Sequence, residues 1–333
     1  RGLGDVYKRQ LQSFGGQSEM HVEFQVQKLL GSIDINDNLR ELYERTIEAV
    51  VLSHQDILNI DKLEGIIIPD DFIAGVMEFQ KNVLNEDHPS VTDNEYGRAY
   101  GKMMYDPDGD KYYVFLDSQF ATFLMGDAFF NSCFPEGHPG RATSLMLRQQ
   151  ALNLLFHEIS HTEFDQRVQR PAITKSLEGG LTKQAYILLD EYYACRKAAT
   201  IANVSIHGDE VGFVNDLEER IDSERWRYKR REIDLNIFIG MFHSYTEMLL
   251  IRLASVLGAN DAVGDKNLPF PGTKLFSVGV VLNYVFSKLF EAIEAGETID
   301  MPVEVKQAIH FYFHQLGVDI EDRLKGLYYS IPD

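Results

Sequence analysis

LNLLFHEISH, residues 152–161, is the stretch on which the reading of this chain turns. On a helical wheel at about 100° per residue, Leu152, Leu155, Phe156 and Ile159 fall on one face. His157 and His161 point together from the opposite face, and Glu158 projects about 100° round from His157. One face is built to anchor in a core while the other aims two imidazoles at a common point. Histidines at i and i+4 are neighbours on a helix and can share one tetrahedral zinc. Glu158 cannot reach that point as a ligand. It can reach a water on the metal, where a carboxylate acts as general base. A chance match would more often fall in a loop or on a uniformly polar face; this one sits mid-helix with an apolar stripe behind it.

The chain carries its own control. HFYFH, residues 310–314, also has histidines at i and i+4, but Phe311 stands where Glu158 stands in HEISH. Without an acid beside them, His310 and His314 read as partly exposed helix residues or satisfied core groups.

Around these motifs the composition is that of a globular protein, 44% hydrophobic and 25% charged. Lysine and arginine total 32 against 51 acidic residues, a net charge of -19. A surface that negative repels phosphate backbones, so nucleic acid is not expected as a partner. Two cysteines, Cys133 and Cys195, are too few for a disulfide framework and point to a reducing, cytoplasmic setting. No continuous apolar run reaches membrane-spanning length. LFSVGVVLNYVFSKLF (275–290) reads as a buried helix, and no membrane association is expected. RGLGDVYKRQ (1–10) lacks the apolar segment of a signal peptide and resembles a translated adapter scar. It is set aside as non-native, with 11–37 as an N-terminal extension.

The rest of the chain divides by pattern. Residues 38–60 read as a helix and EGIIIPDD (64–71) as a short buried strand, after which Asp70 or Asp71 caps a helix to about Leu84. Loop composition follows over 85–98. AYGKMMY, the turn DPDGD (106–110) and KYYVFLD (111–117) form a hairpin. Residues 127–141 read as loop, and the HEISH helix covers about 143–166. Further helices are expected at about 182–203, 213–232, 233–258, 274–295, 302–316 and 318–328, with a loop at 259–274. The expected fold is α+β: a small mixed or antiparallel sheet packed on the HEISH helix, then a mostly helical second half. Its boundaries are 38–166 for the α/β subdomain and 167–333 for the helical one. SERWRYKRRE (223–232) reads as a solvated helix face pairing with nearby acids.

A catalytic zinc takes three protein ligands and keeps one open position. A glycine three residues after His161 and a histidine six after would mark the metzincin pattern; Phe164 and Arg167 hold those positions. Glu163, Asp165, Asp190 and Glu191 remain, and the first two lie on the same helix and cannot easily curl back. Glu191 shares a helix face with Ile187, Leu188, Ala194, Cys195, Ala198 and Ala202. Small residues there permit close approach of another helix, and a carboxylate buried among them needs a strong partner. Zinc is one such partner; a salt bridge to Arg148 or Arg196 is the other. Asp190 lies off that stripe and better suits solvent or support of a histidine.

HEISH followed about 30 residues later by a helical glutamate resembles the gluzincin branch of the zincin metallopeptidases. The hairpin before the helix is similar to that family's active-site subdomain, so the resemblance covers about 60–203. DEYYACRKAA is more weakly similar to the Glu-x-x-Ala helix of ImmA/IrrE-type peptidases of mobile elements. In thermolysin-like members an aspartate follows the ligand glutamate by four residues; Cys195 occupies that position here.

The resemblance implies zinc held by His157, His161 and Glu191, with Glu158 as general base and a peptide or protein as substrate. It implies an oxyanion donor from the helical half, for which His243 and Tyr245 in GMFHSYTEM are the candidates. It also implies that an edge strand, expected at 111–117, pairs with extended substrate. Two other classes stand beside this one: a regulatory, partner-binding protein on a zincin scaffold, and a non-peptidase zinc amidohydrolase.

Overall fold

A computed structural model describes residues 20–29, 33–94, 97–126, 129, 136–139, 143–172, 174–204, 210–324 and 326–332. The scar reading of 1–10 and the cysteine at 133 lie outside these residues, as does most of 127–141. The fold is mixed α and β, 58% helical, with a small mixed sheet and a helical C-terminal half. The chain divides into two compact units, Arg1–Glu163 and Phe164–Asp333.

In the first unit the order is β1 (His21–Phe24), β2 (Lys28–Leu29), β3 (Ile33–Asp34), α1 (Asp37–Leu52), β4 (Leu63–Ile68) and α2 (Phe72–Asn82). Then come β5 (Asp93–Asn94), β6 (Gly97–Arg98), β7 (Gly101–Asp106), β8 (Lys111–Leu116), α3 (Ser118–Leu124) and α4 (Ser144–Arg167), whose last turn belongs to the second unit. The main sheet runs β1-β4-β8-β7. β4 lies parallel to β1 and to β8, and β7 closes the sheet antiparallel to β8, with Met103 opposite Val114.

This order corrects the expected edge. KYYVFL lies between two partners, and among the described residues the edge strands of the sheet are β1 and β7. The reason is visible in the side chains. Tyr112, Val114, Phe115 and Leu116 are all buried, the near-continuous apolar run of a strand covered on both faces. β7 has one buried residue, Met104, among half-exposed ones.

Both sheet faces are packed. On one side Ile67 and Phe115 meet Phe72 and Val76 of α2 and Met104 of β7. Neighbouring positions of opposite orientation, Ile66, Ile68, Val114 and Leu116, are fully buried as well. Asp71 caps α2 by accepting from the Ala74 amide. The turn between β7 and β8 forms as its composition dictates, with Asp106 Oδ1 accepting from the Asp108 amide and Asp110 in the left-handed region. α1 stops at Leu52 rather than 60, followed by turns. Residues 85–98 include the short β5-β6 ladder. The N-terminal extension supplies β1, whose Phe24 stacks on Tyr43 of α1 at 4.4 Å.

The second unit holds α5 (Leu177–Ala202), α6 (Glu210–Lys229), α7 (Leu235–Val263), α8 (Leu275–Glu294), α9 (Val303–Gln315), β9 (Asp319–Arg323) and β10 (Gly326–Ser330). α5 starts at Leu177, earlier than the expected 182, because Ser176 caps it by accepting from the Gly179 amide. α7 extends to Val263, which shortens the loop expected at 259–274. Small residues do bring helices close: a Cβ at Gly258 of α7 would lie 2.3 Å from the Tyr192 carbonyl oxygen of α5. α8 has no cap of its own; buried Glu218 of α6 accepts from the Lys274 and Leu275 amides instead.

The helix expected at 318–328 is a hairpin, β9 antiparallel to β10. Gly317, at φ +79, ends α9. Val318 and Ile320 are then buried two apart, the period of a strand. By length and composition α7 and α8 could each cross a membrane. α8, expected as a buried helix, buries one face and leaves Val280 and Tyr284 exposed on the other. The basic run at 223–232 pairs with acids as expected, Arg227 with Glu224 at 2.9 Å and Arg230 with Glu232 at 2.7 Å.

Candidate metal centre

α4 sets the geometry of HEISH. Leu155, Phe156 and Ile159 are fully buried, so the rotation of the helix is fixed from behind. His157 and His161, both half-buried, then project together from its other side. Their Nε2 atoms are 3.0 Å apart and the rings meet edge to face, with centroids 4.5 Å apart. Two neutral imidazoles at that distance either share one proton or turn two lone pairs towards a common cation. Tetrahedral zinc at about 2.0–2.1 Å from each nitrogen would separate the two by about 3.3 Å. The observed spacing is within a few tenths of an ångström of that, so the pair fits the metal.

Glu158 is 8% exposed and faces β7. Its Oε2 accepts a hydrogen bond from the Met103 amide at 2.7 Å. Gly101 makes room for it: a Cβ there would lie 2.8 Å from Cγ and Oε1 of Glu158. On the same strand, burial pulls the Lys102 ammonium pKa down, while the charges of Glu86 and Glu158 act the other way. Lys102 Nζ donates to the Ser90 carbonyl at 2.6 Å.

In the second unit, Glu191 sits half-buried on α5. Its Oε1 accepts from the Ser255 hydroxyl of α7 at 2.6 Å and from the Cys195 thiol at 3.6 Å. Burial, with the Glu191 charge adding to it, pushes the Cys195 thiol pKa well up. Arg196, the expected alternative partner of Glu191, is turned to Glu291 at 2.7 Å with its guanidinium over Phe290. Asp165, one of the ligand candidates on the HEISH helix, accepts from Nε and a terminal nitrogen of Arg170 and from the Tyr186 hydroxyl. Burial raises the Tyr186 phenol pKa, and Asp165 and Asp190 add to that shift.

His243 and Tyr245 lie on α7. His243 Nε2 is 2.9 Å from the Tyr329 hydroxyl of β10, and burial lowers the imidazole pKa. Tyr245 is 8% exposed. The control pair behaves as its missing acid suggests. His310 Nε2 lies 3.2 Å from the Ile320 carbonyl, and His314 Nδ1 lies 2.6 Å from Asp319.

Sequence reasoning singled out HEISH and Glu191 as candidates. It missed the Met103 amide, Gly101 and Ser255, because a backbone donor 55 residues away from its acceptor leaves no mark in local pattern. In comparisons with known proteins, no family model, no curated protein and no solved structure matches this chain.

Proposed function

We propose that the chain is a zinc-dependent metallopeptidase of zincin type, acting on a peptide or protein. His157, His161 and Glu191 are the proposed ligands and Glu158 the general base. The observation that carries this reading is the His157–His161 pair, Nε2 to Nε2 at 3.0 Å on one helix with an acid beside it held against a sheet edge.

Zinc, when bound, supplies a Lewis acid that lowers the pKa of a water and polarises a carbonyl. The chain's own groups do the rest. Both imidazoles would offer Nε2 as ligand. Ser255 donates to Glu191 and orients its carboxylate, as supporting hydrogen bonds do for metal ligands. Glu158 accepts a proton on its carboxylate and returns it to the leaving amine. β7, at an edge of the sheet, takes over the substrate-pairing role expected of 111–117. Of the two expected oxyanion donors, the partly exposed His243 is retained.

The test is Glu158→Gln, measured for zinc content by atomic absorption and for hydrolysis of fluorescein-labelled casein. The reading expects wild-type zinc content with hydrolysis lost. Casein hydrolysis at the wild-type rate in that variant would sink it.

A further inference from the structure

We propose that Gly101 and the Met103 amide form a seat on β7 for the Glu158 carboxylate, which makes both of them positioning residues for the base. The proposal rests on the reading of Glu158 given above; the seat itself rests on geometry within one unit.

Met103 pairs with Val114, yet its N–H goes to Glu158 rather than to β8. It therefore occupies a pair whose amides point off the sheet edge. Along an antiparallel strand such pairs recur every second residue, so Gly101, opposite Leu116, has the same outward orientation. The ladder agrees, because the Asp117 amide donates to the carbonyl of Tyr100, the residue before Gly101 and one of the alternate, hydrogen-bonded set. The carboxylate thus meets an amide at 103 and a missing side chain at 101. A Cβ at 101 would lie 2.8 Å from Cγ and Oε1 and 3.1 Å from Cδ of Glu158. Gly101 is not in the left-handed region. No backbone conformation demands glycine there, and glycine weakens a strand. Its one evident use is the space it leaves for the carboxylate.

The seat divides the two carboxylate oxygens. Oε2 is fixed by the amide. Oε1 is held over Gly101, where it can take the proton. Pairing of an extended substrate along β7 would place a carbonyl near the same amides, so substrate and base address one short stretch of strand.

Three variants test this. Gly101→Ala adds only the Cβ. Met103→Pro removes the N–H together with the methionine side chain, at a position whose amide makes no ladder bond and on an edge strand, where proline is tolerated. Glu158→Ala removes the acceptor. With fluorescein-labelled casein as probe, Gly101→Ala should keep wild-type zinc content and KM while kcat falls by about 100-fold, the size of effect expected when a reacting group is displaced by about 1 Å. Met103→Pro should lower kcat by about tenfold or more, as for loss of one bond to a charged group. A second readout does not need activity. In protein labelled with 15N-methionine, which has nine methionines, exchange of the Met103 amide should accelerate about tenfold or more in Glu158→Ala. Wild-type kcat in Gly101→Ala, or unchanged Met103 exchange in Glu158→Ala, would overturn the seat. If the wild-type protein cleaves no casein, the peptidase reading fails while the exchange result still decides the seat.

Discussion

Two pairs of histidines in this chain share one spacing and meet different surroundings. In HEISH the two Nε2 atoms face each other at 3.0 Å, with Glu158 alongside on the Met103 amide. In HFYFH each imidazole turns to β9, His310 to the Ile320 carbonyl and His314 to the Asp319 carboxylate. Spacing on a helix only makes two side chains neighbours. What lies opposite decides whether they converge on a ligand or fasten a piece of chain. On the proposed reading the glutamate at the second position of HEISH marks the first outcome, and the hairpin after Gly317 is the cause of the second.

The largest effect that separates the pairs concerns metal. His157→Ala should weaken zinc binding by about a thousandfold or more, as expected when a ligand rather than a supporting group is lost. His310→Ala should leave zinc unchanged. Competition with a chromogenic chelator measures both, and equal losses in the two variants would erase the distinction. Next in size is the anchor of the hairpin. Ile320 is buried to 2% exposure, so Ile320→Ala should destabilise the protein by about 2–4 kcal/mol in urea unfolding, with zinc binding intact. A cost below about 0.5 kcal/mol would mean that the histidines, not the apolar contact, hold the strand.

A third prediction uses acid. Burial holds the His243 pKa below its ordinary value of about 6.5. The unfolded chain then takes up a proton before the folded one does. The stability this residue contributes is full above about pH 6.5 and is lost as pH falls from there towards the folded pKa. His243→Phe should therefore flatten the decline of melting temperature between about pH 6.5 and pH 5. An unchanged profile would show that the buried imidazole is not what titrates. The smallest effect belongs to the exposed pair: Asp319→Asn should cost less than about 1 kcal/mol, because His314 and Asp319 are largely solvent-screened.

Much of the architecture was legible where local chemistry is strong. The DPDGD turn, the Asp71 cap and the apolar stripe behind HEISH each specify structure within a few residues. The terminal hairpin was not legible for a definite reason. Ile320, Leu324, Leu327 and Tyr328 recur at helical spacing, yet Leu324 ends fully exposed near the turn and Ile320 buried. Gly317 and Gly326, both at positive φ, were the overlooked signals. The edge strand was misplaced because periodicity does not say which neighbours a strand finds. The run Tyr112–Leu116, buried at every position but Tyr113, marks an interior strand once burial on both faces is considered. β1 escaped notice because four residues, three of them not buried, carry too little pattern. At the site, the two histidines and the acid follow from the helix alone, while the seat on β7 depends on tertiary pairing.

The most direct test of the account is X-ray absorption at the zinc edge on zinc-loaded protein. The account predicts two imidazole nitrogens at about 2.0–2.1 Å with oxygen completing the shell, and loss of the imidazole signal in the His157→Ala, His161→Ala double variant. A spectrum without imidazole, or one unchanged in the double variant, would contradict it.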